Sequence, residues 1–149
     1  MHFCKTKELR MHFDFWRIVF DSGLLVLIWM VQLLIYPSFE HYPKLQLVTW
    51  HTRYTPRIGY IVMPLMLGQL GMYLYQVIHN FDYGVLINLV LVILIWTSTF
   101  VQFVPIHSQM ATYDDPIPYT KQLVRLNWTR TVLWSIIFSI DVLQLYFGL

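Results

Sequence analysis

Charge is what this chain has least of. Only 12% of its 149 residues are Asp, Glu, Lys or Arg, about half the share of a soluble domain, which argues against an ordinary cytosolic enzyme. Cysteine is nearly missing: Cys4 stands alone, so the chain can build neither an internal disulfide framework nor a cysteine-rich metal site. No short repeat is visible, and with the high apolar fraction this removes collagen, coiled coil and intrinsic disorder. A net charge of +2 is too small and too scattered for a nucleic-acid partner. Strong catalytic signatures are missing as well. There is no phosphate-cradling glycine loop, no GxSxG elbow, no HExxH, HxH or HxxxH pair and no deep pair of carboxylates, so ATP-driven work and serine-triad hydrolysis have no support. Nor is there the internal repeat from which inverted-repeat transporters are built.

What is present is apolar surface: 57% hydrophobic and 17% aromatic residues, with a mean hydropathy of +0.53. The length allows one domain, 1–149. Four segments are long enough to cross a bilayer, for which about 20 residues suffice: roughly Trp16–Tyr36, Ile58–Ile78, Gly84–Val104 and Leu126–Phe147. The first lies too deep for a signal peptide and lacks a small-residue cleavage site. Hydrocarbon offers no water to a lone backbone amide, so the spans are expected as helices. VLVILIW shows none of the alternation of a barrel strand. The expected fold is all-α, an antiparallel four-helix transmembrane bundle in the lipid bilayer. Lys44–Thr55 has helical spacing and no glycine, so the second helix is expected to start there, project beyond the membrane, and bend near Pro56 and Pro64. Met1–Phe15 reads as a surface helix or a mobile tail.

Topology then sorts the polar residues. An even number of spans places both termini and the His79–Tyr83 turn on one face, side A, with Lys5, Lys7, Arg10, Arg17, His2, His12 and His79. The connections Pro37–Pro56 and Pro105–Gln122 share side B, which collects His41, His51, His107, Glu40, Lys44, Arg53, Arg57, Asp114, Asp115, Lys121 and Arg125. With Arg57 and Arg130 reserved for chemistry, each side keeps four basic residues, so the positive-inside rule leaves orientation undecided.

Arg130 sits one turn into the fourth span, three residues after Asn127 and four before Trp134, spacings that put all three on one helical face. An unpaired arginine at that depth costs about 2.5–3.5 kcal/mol, so it should face the bundle and meet a carboxylate, a carbonyl or a bound anion. Snorkelling to the side-B headgroups is the competing account. His51 and His107 come from different connections on one side. Imidazole moves protons near neutrality and ligates metals, while hydrogen-bonded interfacial histidines are the plainer account; His41 is of the same grade. Gln32, Gln69 and Gln102 are amides inside three spans, and each needs a partner. Gln32 and Gln102 are expected to share a cavity with Asn127 and Arg130, and Gln69 to serve as helix glue. Arg57 and Tyr54 are further candidates for binding, and Trp50, Tyr54, Trp128 and Trp134 for an aromatic wall. Asp141 is expected to pair structurally with Arg17. The sequon Asn127-Trp128-Thr129 opens a helix, which argues against its glycosylation.

VPIHSQM, followed by LVRLNWTRTVLW, resembles the end of small four-span proteins of the anthrone-oxygenase-like family, at Pro105, His107, Asn127, Trp128 and Arg130. HTRYTPRIGYIVMP is more loosely similar to the proline-containing second helix of the four-span protoporphyrinogen oxidase family, whose lysine and early histidine are missing here. About a third of the chain takes part in either match. The resemblance implies a membrane redox or oxygenase-type protein, an oxidoreductase acting on a lipophilic, aromatic molecule and located in the bacterial inner membrane. Catalytic roles would fall to His51, His107 and Arg130, and substrate binding to Asn127, Arg57, Gln32, Gln102, Trp128 and Tyr54. Heme or a metal ion held by His51 and His107 is compatible with such a site, and no cofactor is assigned. The alternative is a non-catalytic accessory subunit or binding module, docking other membrane subunits or a second copy.

Overall fold

The computed structural model describes residues 2–112 and 115–147, with side chains from His12 onward. Every long element among the described residues is a helix. The first span begins as α1 (His2–Met30), runs through a π-helical turn at Val31–Ile35 into α2 (Tyr36–Ser38), and closes with a 3-10 turn at Phe39–His41. The second is one helix, α3 (Lys44–His79). The third is α4 (Tyr83–Ser98), a π-helical turn at Thr99–Phe103 and α5 (Val104–Thr112); the fourth is α6 (Ile117–Phe147). All four are long and apolar enough to cross a membrane.

The main contacts put the first span against the second and fourth, and the third against the same two, a four-cornered antiparallel bundle. Its outer surface is what water would not tolerate: Leu34 and Val101 are each about two-thirds exposed, with Leu33, Val90 and Ile93 also outward. Contiguous apolar surface of that extent belongs in lipid, and the chain is an integral membrane protein. α3 has 36 residues, about 54 Å at the α-helical rise, against a hydrocarbon core of about 30 Å, so its start projects as expected. It remains α-helical through both Pro56 and Pro64. Close packing of α1 on α3 is set by Gly68, where a Cβ would collide with the Phe20 ring.

The two connections expected as loops are mostly helix. Between the first and second spans only Tyr42 and Pro43 lie outside helical turns, and the third span continues to Thr112. Proline explains both the expectation and the outcome. Pro37 and Pro105 lack an N–H and crowd the carbonyl four residues back. Each chain segment widens into a π-turn just ahead, with Tyr36 N–H donating to Val31 O and Val104 N–H to Thr99 O, instead of breaking. The segment expected as a surface helix or tail is helical from His2. The side chains of His2, Cys4, Lys5, Lys7 and Arg10, and Asp114, lie outside the described residues.

Candidate functional site

Tyr36, just after the first π-turn, and Phe103, the last residue of the second, both turn inward. Tyr36 and Phe103 are buried beside one another, rings stacked at 6.4 Å. α5 then carries His107, and the projecting part of α3 carries His51. His51 Nε2 and His107 Nδ1 are 2.8 Å apart, His107 Nε2 is 3.3 Å from the Tyr36 hydroxyl, and Thr55 Oγ1 is 3.3 Å from His51 Nε2. One ring nitrogen of the 2.8 Å contact must carry the proton and the other accept it, so Tyr36, His107 and His51 form one chain of exchangeable protons. His51 Nδ1 is buried without a hydrogen-bond partner.

α6 supplies the cation. Asn127, Arg130 and Trp134 are buried on one face, as the spacing predicts. Arg130, 7% exposed, has its guanidinium carbon 4.2 Å from the Phe103 ring centroid and 5.2 Å from that of Trp134. The tyrosines 36 and 54 are its polar neighbours. Among the described residues no carboxylate pairs with it: the ion pairs join Arg17 to Asp14 and Asp141, and Lys44 to Asp115. Arg130 Nε is buried with no hydrogen-bond partner.

Arg130, His107, Tyr36 and Tyr54 share a cavity of about 190 Å³ whose remaining wall is almost wholly apolar. Its rim includes Met63 and Val104, both exposed on the lipid-facing surface, so it opens sideways between the second and third spans. Beside Gly59 there is open space.

Several sequence candidates fall elsewhere. Gln32 and Asn127 are joined to each other, Asn127 Nδ2 donating to Gln32 Oε1 at 3.0 Å and Gln32 Nε2 to Val124 O at 3.2 Å, while Asn127 Oδ1 is buried without a hydrogen-bond partner; they buttress the site and do not line the cavity. Gln102 is exposed and accepts from Ser98 Oγ on its own helix, because the π-turn's extra residue rotates it outward. Arg57 is exposed on the outer face of α3. Trp128 is 44% exposed and packs edge-on against Trp29, away from the cavity. Trp50 stacks on Tyr54 at the surface, while Trp134 lies inside under Arg130. His41 is exposed and contacts only its own turn at Pro37 O. His12 and His79 are exposed. The metal reading does not fit. The imidazoles of His51 and His107 point their nitrogens at each other, whereas ligands converge on an ion about 2.0–2.1 Å from each, and no group of three His, Cys, Asp or Glu stands ready to hold an ion among the described residues. A heme fits no better, since the cavity takes one aromatic ring and not a tetrapyrrole.

A second polar centre lies toward side A. The expected Arg17–Asp141 pair is there, Nε to Oδ2 at 3.2 Å. So is a deep pair of carboxylates, contrary to the sequence reading: the Tyr73 hydroxyl lies 2.8 Å from Asp21 Oδ2 and 2.9 Å from Asp141 Oδ2. Gln69 joins three spans as the expected glue, donating to Asp21 Oδ1 at 2.5 Å and accepting from Trp134 Nε1 at 3.3 Å.

No family model, curated protein or solved structure matches this chain.

Proposed function

We propose that this protein takes from the bilayer a lipophilic molecule with a single-ring head bearing an acidic hydroxyl or carbonyl oxygen, and moves a proton on it as part of a redox or oxygenase-type reaction in the bacterial inner membrane. The carrying observation is Arg130: a buried guanidinium without a carboxylate, facing a cavity that opens to lipid. A cavity of about 150 Å³ lined by aliphatic side chains holds benzene, so this one suits one ring, its tail left in the bilayer. The ring oxygen would take the place of the missing anion at Arg130. Its proton would pass to the Tyr36–His107–His51 chain, leaving an oxyanion paired with a fixed cation in a water-poor site, where such pairing is strong. The oxygenase-type character rests on the resemblance around Pro105, His107, Asn127, Trp128 and Arg130.

The test is binding of a long-chain 4-alkylphenol against its O-methyl ether, both added to the purified protein in mild detergent. The phenol should bind and the ether should not, and Arg130→Met should abolish the difference. Equal binding of both probes, or an unchanged preference in Arg130→Met, refutes the reading. The alternative, a non-catalytic accessory subunit, draws on the outward Trp29–Trp128 pair; it requires Trp128→Ala to alter assembly and Arg130→Met to alter nothing.

A further inference from the structure

The second centre has one proton too few for its contacts. Tyr73 has a single hydroxyl proton yet makes short O···O contacts to both Asp21 and Asp141, and its oxygen also accepts from Asn88 Nδ2 at 3.2 Å. One of those contacts needs a proton from a carboxyl group. Asp141 faces cations and donors, Arg17 Nε from the first span at 3.2 Å and Asn88 Nδ2 from the third at 2.7 Å, which suits an anion. Asp21 meets Gln69 and Tyr73, both from the second span, and the carboxylate of Asp141, and no cation pairs with it among the described residues. Gln69 occupies its Oδ1, so the proton belongs on Oδ2, donating to Tyr73, which donates onward to Asp141. Arg17 and Asp141 then balance, and no unpaired charge stays at this second centre. We propose that Asp21, Tyr73 and Asp141 form a proton-binding site in which Asp21 carries an exchangeable proton reached from side A.

A way in exists. Arg17 also binds Gln76 Oε1 at 2.8 Å and Gln144 Oε1 at 3.3 Å. A cavity of about 30 Å³ lies beside these groups, Asp14 and Asp82, enough for an ordered water. The site is independent of any ligand at Arg130. Infrared difference spectroscopy of the whole protein at neutral pH tests it. A protonated-carboxyl C=O band is expected, shifting in D2O under native conditions and lost in Asp21→Asn. In Tyr73→Phe, which keeps both carboxyls, the band should persist at higher frequency, having lost its hydrogen-bond acceptor. Absence of the band from wild type, full intensity in Asp21→Asn, no movement in Tyr73→Phe, or a shift in D2O only after unfolding would each overturn the proposal.

Discussion

Replacing Arg130 by methionine should change the stability of the ligand-free protein little. A guanidinium at the centre of a span costs about 2.5–3.5 kcal/mol. Its compensation is the two ring faces of Phe103 and Trp134, worth about 0.5–2 kcal/mol apiece depending on desolvation, and the neighbouring Tyr36 hydroxyl. The ring faces alone bring the balance to between about 1.5 kcal/mol of net gain and about 2.5 kcal/mol of net cost, and methionine keeps most of the packing of the aliphatic stem. Arg130→Met is therefore expected to shift stability by at most ~2.5 kcal/mol in either direction. Arg17→Met should cost more. It strands Asp141, which is 0% exposed, and breaking a buried pair costs about 3–5 kcal/mol. Asn88 and Tyr73 still serve Asp141, so the lower end applies.

The two variants can be compared by reversible unfolding in mixed micelles titrated with dodecyl sulfate and followed by circular dichroism. A loss of ~3 kcal/mol or more in Arg130→Met, the cost of breaking a buried pair, would mean that the guanidinium is already satisfied within the fold and is not waiting for an anion. A harmless Arg17→Met would refute the charge accounting from the other side. With 4-alkylphenol at a hundred times its Kd, wild type alone should gain about 2.7 kcal/mol.

Three further outcomes follow from the geometry. Gly59→Phe should keep the protein folded, because the space beside Gly59 is open, while filling the cavity and abolishing alkylphenol binding by equilibrium dialysis. His107→Ala should still bind the alkylphenol through Arg130, but the red-shifted phenolate absorption expected of the wild-type complex should be missing; a persistent phenolate spectrum would remove His107 from the proton path. Gly68→Ile should destabilise by about 1–3 kcal/mol through overpacking against Phe20, read in the same micelle titration.

The spans were legible because lipid imposes one rule on every residue of a membrane helix, and the apolar runs around Leu24–Met30 and Leu89–Ile95 obey it without exception. The face carrying Asn127, Arg130 and Trp134 was legible for a similar reason: within an undisturbed α-helix, spacings of three and four fix direction. The phase failed where the helix is disturbed. Each π-turn adds a residue that no hydropathy pattern reveals, so Gln102 looked inward and points out, while Tyr36, read only as the end of the first span, lies in the site. Proline near polar residues suggested loops at Pro37 and Pro105 because it usually ends helices. Asp21 and Asp141 come from the first and last spans; the even number of spans puts both toward side A, but the Tyr73 hydroxyl that bridges them comes from a third span, a relation that spacing along the chain cannot express.

The contrast between the two buried arginines carries the functional argument. Arg17 meets Asp14, Gln76, Asp141 and Gln144, oxygen acceptors from three spans that leave little for a ligand to add. Arg130 meets aromatic faces, which attract its charge but accept no hydrogen bond in the guanidinium plane, and the phenols of Tyr36 and Tyr54. A guanidinium has five N–H donors; Nε lacks a hydrogen-bond partner in both arginines, but Arg17 Nε has the Asp141 carboxylate at 3.2 Å, whereas no carboxylate pairs with Arg130 among the described residues. Hydrocarbon entering from the side cannot supply acceptors, and water is disfavoured by the apolar walls. A ring oxygen can, and in supplying them it is brought onto the wall formed by Tyr36 and His107. On the proposed function, the position of the cation would select the head group, the lateral opening the tail, and the adjacent imidazole pair the reaction, transfer of a proton.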